Sequence, residues 1–228
     1  MPGKLFVVST PIGNLNDFSL RAIDILKSVD IIAAEDTRIT IRLLKQYSIA
    51  KELISFHVKN ENYKADKIID LIESGKNVAL VSDAGTPCIS DPGYLLVNKA
   101  RKKKIEVNSV PGASSAIAAL SVSGLPSDRF IFEGFLPKKK GRETKIKSFI
   151  EIDMTVILFE SPHRLIKTLN DLFRFLGNRW ISVCKEITKI NESNFFGLLE
   201  DAISEFEKMS KIKGEFVLII AKEGYSVK

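Results

Sequence analysis

Five short blocks hold most of the side chains able to do chemistry. Glu35 and Asp36 stand together with Arg38 two positions on, and Asp83 precedes Ala84-Gly85-Thr86-Pro87. Glu133 lies between Phe132 and Gly134, and Glu160-Ser161-Pro162-His163-Arg164 forms a fourth block. The fifth is Lys138-Lys139-Lys140 with Arg142, Lys145 and Lys147. A carboxylate at the end of a strand takes up a proton or attracts a cation, and one set among aromatics has its pKa raised by desolvation. Clustered lysines attract phosphate. Each block also has a purely structural reading. Asp36 suits a helix N-cap with Thr37 in the first turn, and Ser161-Pro162 suits a helix start. The basic run Lys99–Lys104 closes a helix, where cations oppose the helix dipole. His57 reads as a structural residue at a strand end and His163 as a surface residue. Neither Cys88 nor Cys184 has a histidine nearby in sequence to activate it, and the two histidines and two cysteines have no zinc-type spacing.

The 228 residues are 45% hydrophobic and 27% charged, ordinary for a globular protein and too apolar for disorder. A net charge of +6, shared evenly by the two halves, suits a polyanionic partner. The longest uncharged stretch, Asn108–Ser127, is broken by Pro111, Gly112 and Gly124, so no membrane span is expected. No secretory signal is visible, and two widely separated cysteines fit a reducing cytoplasm. Gly-x-Gly occurs nowhere, nor does Walker A or Gly-x-Ser-x-Gly, which removes the common dinucleotide, P-loop and hydrolase readings.

The elements that must position these blocks alternate. Lys4–Ser9, Ile31–Glu35, Leu53–His57, Val78–Asp83 and Ile105–Val110 are short apolar runs suited to parallel strands covered on both faces. Tyr63–Ser74, stopped by Gly75, and a segment from Pro92 into the basic run read as helices. In the second half, Arg129–Phe135, Thr155–Glu160, Trp180–Ile187 and Glu215–Lys222 read as strands. Arg142–Glu151, Pro162–Leu176 and Leu199–Met209 read as helices. The small-residue stretch Gly112–Ser127 marks a boundary near Ala118, giving two α/β domains, 1–118 and 119–228. Three glycine-containing turns, at Thr10–Asn14, Ala84–Pro87 and Pro111–Ser115, each follow a strand. In a parallel sheet these are the carboxyl ends, where ligands bind, so together they predict a pocket.

Leu5–Asn14 (LFVVSTPIGN), Ala34–Arg38 (AEDTR), Val81–Gly93 (VSDAGTPCISDPG), Phe132–Pro137 (FEGFLP) and Phe159–Arg164 (FESPHR) occur in this order. Jointly they resemble the rRNA-methylating members of the tetrapyrrole methylase superfamily, the class III S-adenosylmethionine-dependent methyltransferases. The resemblance implies a two-domain α/β fold, each domain a sheet flanked by helices, with S-adenosyl-L-methionine in the cleft between the domains. It also implies a homodimer acting on small-subunit ribosomal RNA or the ribosomal subunit, not on DNA, to methylate a cytidine ribose 2′-oxygen. A tetrapyrrole or other small-molecule acceptor, or a non-catalytic rRNA-binding assembly role, are the alternatives this fold leaves open. Carried onto this chain, the resemblance makes Glu35 and Glu133 the catalytic candidates. Pro11, Asp83, Ala84, Gly85, Thr86, Ile89, Ser114, Ser115 and Glu160 become cofactor contacts, with no metal. Arg38, Lys138, Lys139, Lys140 and Arg164 become RNA contacts. The chain departs from the family at Cys88, where Gly is usual, and at Ala113, where Pro is usual. It also lacks a second His in Phe56–Glu61 and ends soon after Glu215–Lys222, where many members carry a further small domain. Cys88 is expected to narrow the cofactor loop.

Overall fold

The computed structural model describes residues 2–227, and their contacts divide the chain into two compact units between Ser114 and Ser115. In the first unit, β1 (Leu5–Val8), β2 (Ile31–Ala34), β3 (Glu52–Ser55), β4 (Val78–Val81) and β5 (Val107–Val110) form one sheet in the order β3-β2-β4-β1-β5. Every pairing is parallel. The helices are α1 (Leu20–Ser28), α2 (Thr37–Gln46), α3 (Glu61–Glu73) and α4 (Tyr94–Lys102). Successive residues of a strand face opposite ways, so Ile31, Ala33, Val78 and Leu80 share one core with Ile68, Ile72 and Leu96 of α3 and α4. Ile32, Ala34, Ala79 and Val81 share the other with Leu26 and Leu44 of α1 and α2. Handedness explains the partition. From β1 to β3 the chain steps one way across the sheet and from β3 to β5 it steps back. Right-handed crossovers therefore put the first two helices on one face and the next two on the other.

The second unit opens with α5 (Ser115–Val122), so Ser115–Ala118, assigned from the sequence to the first half, belong to a helix of the second. Its sheet has the order β6-β7-β10-β8-β9, formed by β6 (Phe130–Phe135), β7 (Thr155–Glu160), β8 (Trp180–Lys185), β9 (Ser193–Leu198) and β10 (Phe216–Ile220). Only β6 and β7 pair in parallel. Helices α6 (Arg142–Ser148), α7 (Leu165–Leu176) and α8 (Leu199–Glu207) cover one face through Ile146, Leu165, Leu169, Leu172, Leu199 and Phe206. Ala116, Ala119 and Leu120 of α5 pack on the other face, against Ile157, Val217 and Ile219.

The strand readings match the structure within a few residues, with β9 the exception. Ser193–Leu198 is not among the strands read from the sequence, and an edge strand with one partner tolerates such a polar, glycine-containing run. α7 begins at Leu165, three residues after Pro162, because residues 162–164 form a turn. Among the described residues no helix is long and apolar enough to cross a membrane.

Candidate functional site

In the first unit the carboxyl ends of β2, β4, β1 and β5 are cross-linked by hydrogen bonds. Thr10 and Gly85 exchange both backbone bonds (2.9 and 3.1 Å), joining the turn after β1 to the turn after β4. The Ser9 and Thr86 hydroxyls lie 2.9 Å apart, and Thr86 Oγ1 donates to the Ala113 carbonyl (3.2 Å), which brings in the turn after β5. Gly112 sits so close to the first of these turns that an added Cβ would lie 2.9 Å from that of Ser9. The three turns singled out in the sequence therefore meet. A fourth joins them: the Asp36 N–H donates to Asp83 Oδ1 (2.9 Å) and the Asp83 N–H donates to Glu35 Oε2 (3.3 Å).

β2 ends at Ala34, so Glu35 and Asp36 both lie beyond it and their roles separate. Asp36 caps α2, accepting from the Arg38 N–H at 2.9 Å, and holds the Arg38 guanidinium as close as 2.6 Å. Bonds from the Arg38 side chain and backbone keep the Asp36 carboxyl down at about 2. Glu35 and Asp83 have raised pKa values, each through burial first, with the charge of a neighbouring carboxylate adding to it. Asp91, not singled out in the sequence, joins them. Burial, then Glu35, then Asp83 push it up to about 6, partly offset by a hydrogen bond with Ser82. Its only sequence signal is its place in the Val81–Gly93 block. Pro11 and Gly85 are buried, Thr86 and Ser114 half-buried, and Ala84 and Ile89 exposed around this acidic end of the sheet; Ser115 starts α5. His57 turns aside, its ring 3.2 Å from the Asn60 amide.

Residues 82–93, between β4 and α4, are tightly wound. Cys88 and Ser90 have φ of 72° and 64°, left-handed values that non-glycine residues adopt at a cost. This is the physical reason a glycine would suit position 88. Gly93, at φ 138°, lies where a Cβ would come 2.6 Å from Cys88 Sγ and 2.8 Å from Leu80 Cδ2. Burial, then Asp91 and Glu61, push the Cys88 thiol up to about 11, so it is protonated and a poor nucleophile at neutral pH.

In the second unit Glu133 is the extra residue of a β-bulge: the register of β6 against β7 shifts between Phe132 and Gly134. The bulge sets its carboxylate 2.9 Å from Lys145 Nζ. Glu160 and Arg164 bond to each other. Glu160 is buried, and its two oxygens accept from the Ser161 N–H, Arg164 Nε and the Thr168 hydroxyl. Arg164 also donates to the Leu136 carbonyl. Both are thus bonded within the second unit. The basic block divides as well. Arg142 is buried, Lys145 is held by Glu133 and Lys147 by Glu143, whereas Lys138, Lys139 and Lys140 are exposed. The Lys99–Lys104 run serves packing, with Lys99 on Asp66 and Lys103 on Glu73 of α3.

The family model for tetrapyrrole (corrin/porphyrin) methylases matches residues 4–203. The chain belongs to that family. Its branch is set by curated relatives named ribosomal RNA small subunit methyltransferase I. The Thermotoga maritima protein is 46% identical over 219 residues, covering 96% of this chain and 98% of the relative. That of Halalkalibacterium halodurans is 48% identical over 226 residues, 99% of this chain and 78% of the relative. That of Escherichia coli O157:H7 is 45% identical over 221 residues, 96% and 77%. Among solved structures, a diphthine synthase superposes with a TM-score of 0.76 at 16% identity, covering 98% of this chain and 92% of that one. Uroporphyrin-III C-methyltransferase from Thermus thermophilus, complexed with S-adenosylhomocysteine, gives 0.66 at 18% identity, covering 97% and 98%. These two share the fold.

Proposed function

We propose that this chain is an S-adenosylmethionine-dependent methyltransferase that methylates the ribose 2′-oxygen of a cytidine in small-subunit ribosomal RNA. The observation that carries the reading is the convergence of four strand ends in the first unit, in a chain from this family. The residues there fit the cofactor's chemistry. Carboxylates suit its sulfonium and ammonium cations, and the backbone-lined bends at Thr10–Gly85 and Gly112 leave main chain available to an adenosine. We assign Pro11, Asp83, Ala84, Gly85, Thr86, Ile89, Ser114 and Ser115 to holding it, and Lys138, Lys139 and Lys140, with the exposed edge of Arg38, to RNA phosphates. When bound, the cofactor supplies an electrophilic methyl group on a sulfonium.

The chain's own residues have two tasks. The first is alignment of the acceptor hydroxyl for in-line displacement, worth roughly 7–11 kcal/mol in well-oriented intramolecular reactions. The second is removal of the hydroxyl proton, for which a positioned base adds about 10²–10⁴-fold. Glu35, its pKa raised by burial and by the charge of Asp83, suits the second task, and Glu133, aimed by its bulge, is the other candidate. The assembly proposed is a cytoplasmic homodimer acting on the small ribosomal subunit.

Titration calorimetry with S-adenosylmethionine, on the wild type and on Asp83→Ala, tests the cofactor assignment. Binding by the wild type and weaker binding by a folded variant are expected; equal affinity removes Asp83 from the site. Ribose-methylation mapping of small-subunit rRNA from a deletion strain tests the acceptor, and an unaltered map overturns it.

A further inference from the structure

Beneath the exposed lysines lies a polar network that the methyl-transfer reading leaves unused. Its hub is Glu160, 2% exposed at the end of β7. Oε1 accepts from the Ser161 N–H (2.7 Å) and from Arg164 Nε (2.8 Å), and Oε2 accepts from the Thr168 hydroxyl (2.5 Å). Thr168, wholly buried on α7, accepts in turn from Arg142 Nη2 (2.8 Å), and Arg142 Nε donates to Asp171 (2.7 Å). The remaining donors converge on one short segment. Arg164 Nη1 reaches the Leu136 carbonyl (3.0 Å) and Arg142 Nη1 the Pro137 carbonyl (3.3 Å). The Arg142 backbone N–H reaches the Lys139 carbonyl (3.2 Å). Two arginines thus hold the chain on both sides of Lys138, and both are tied back to Glu160.

We propose that the Glu160–Thr168–Arg142–Arg164 network is a positioning device that sets the Lys138–Lys140 loop for RNA, a role that rests on the rRNA reading above. Stability is a weak reason for such a network. Two arginines and two carboxylates taken out of water cost desolvation, and an apolar packing of similar volume serves a fold as well. What apolar side chains cannot supply is directional grip on the two successive carbonyls of Leu136 and Pro137. The network spends its donors there. Once held, the lysines meet a phosphate backbone with less conformational freedom to lose, which strengthens binding without adding a contact. Glu160, Thr168, Arg142 and Arg164 act through the loop and touch no substrate.

The test is Thr168→Val, which removes the hydroxyl joining Glu160 to Arg142 at nearly constant volume, with Thr168→Ser as the restoring variant. Each is assayed for methylation of small ribosomal subunits, for S-adenosylmethionine affinity, and beside a Lys138→Ala, Lys139→Ala, Lys140→Ala triple variant. Thr168→Val is expected to raise KM for subunits by about five- to tenfold, on the scale of one hydrogen bond removed, with kcat within about twofold. Cofactor affinity stays unchanged, and Thr168→Ser returns KM to the wild-type range. Should Thr168→Val fail to fold, Arg164→Lys keeps a charge beside Glu160 while giving up the Leu136 carbonyl, and is read the same way. An unmoved KM in the network variant beside a raised KM in the triple variant overturns the positioning role alone. An unmoved KM in the triple variant overturns the reading of the loop, and the positioning role with it.

Discussion

Three carboxylates, Glu35, Asp83 and Asp91, crowd the end of one sheet, with Arg38 as a partial counter-charge to Asp83. Asp91 has the largest consequence. Its ordinary value is 3.8 and its native value about 6, so the folded chain holds this proton more tightly than the unfolded one. The stabilisation is complete below pH 4 and is lost as pH rises through about 6. Asp91→Asn cannot ionise and keeps the neutral form at every pH. Its thermal midpoint is therefore expected to exceed that of the wild type at pH 8, with the gap closing as pH falls toward 4. Scanning calorimetry across that range checks it, and a gap independent of pH would assign Asp91 an ordinary carboxyl. Asp36 shows the opposite outcome for a neighbouring acid. Its carboxylate is engaged by the first turn of α2 and by Arg38, which is why its pKa falls while that of Glu35 rises.

The β4–α4 connection is under backbone stress, with Cys88 and Ser90 in left-handed conformations and Gly93 at φ 138°. Gly93→Ala puts a Cβ against Cys88 Sγ and Leu80 Cδ2 while forcing a φ that alanine rarely adopts. A loss of about 1–3 kcal/mol is expected, read as a lower urea midpoint at unchanged slope. Gly224→Ala is the milder comparison: its φ is +70° and its Cβ would meet nothing within 4 Å, so it carries only the modest cost of the left-handed region and is expected to lose less. Equal losses in the two variants would show that the 88–93 segment yields freely. In the second unit the corresponding device is the bulge at Glu133, which interrupts a regular parallel pairing to turn one acid toward Lys145.

Over the whole molecule the excess of +6 is spread along the chain, and ion pairs leave it intact because each joins one base to one acid; Lys99, Lys103, Lys145 and Lys147 all have acidic partners. Lys138–Lys140 stand exposed, so the electrostatic part of RNA binding is expected to concentrate there. Neutralising all three should flatten the dependence of log affinity on log salt by roughly three, about one for each phosphate left without its lysine. Filter binding to rRNA over a salt series measures this, and an unaltered slope would move the RNA-binding surface elsewhere. Much of the fold was legible in the sequence, because burial periodicity, strand length and turn residues are local properties. The nine strands read from it all exist, and β9 escaped because an edge strand needs no apolar pattern. The convergence of the three glycine turns could also be anticipated, since parallel strands deliver their carboxyl ends to one side. The partners of each carboxylate could not be. Asp36 and Asp83 are 47 residues apart, and Glu160 finds Thr168 and Arg164 ahead of it in sequence and, through Thr168, Arg142 behind. Sequence alone therefore determined which acids stand at strand ends. Only the tertiary structure decided that Glu35, Asp83 and Asp91 crowd one another while Glu160 is paired with Arg164 inside its own unit, because sheet order and helix packing, not spacing along the chain, choose a charge's neighbours.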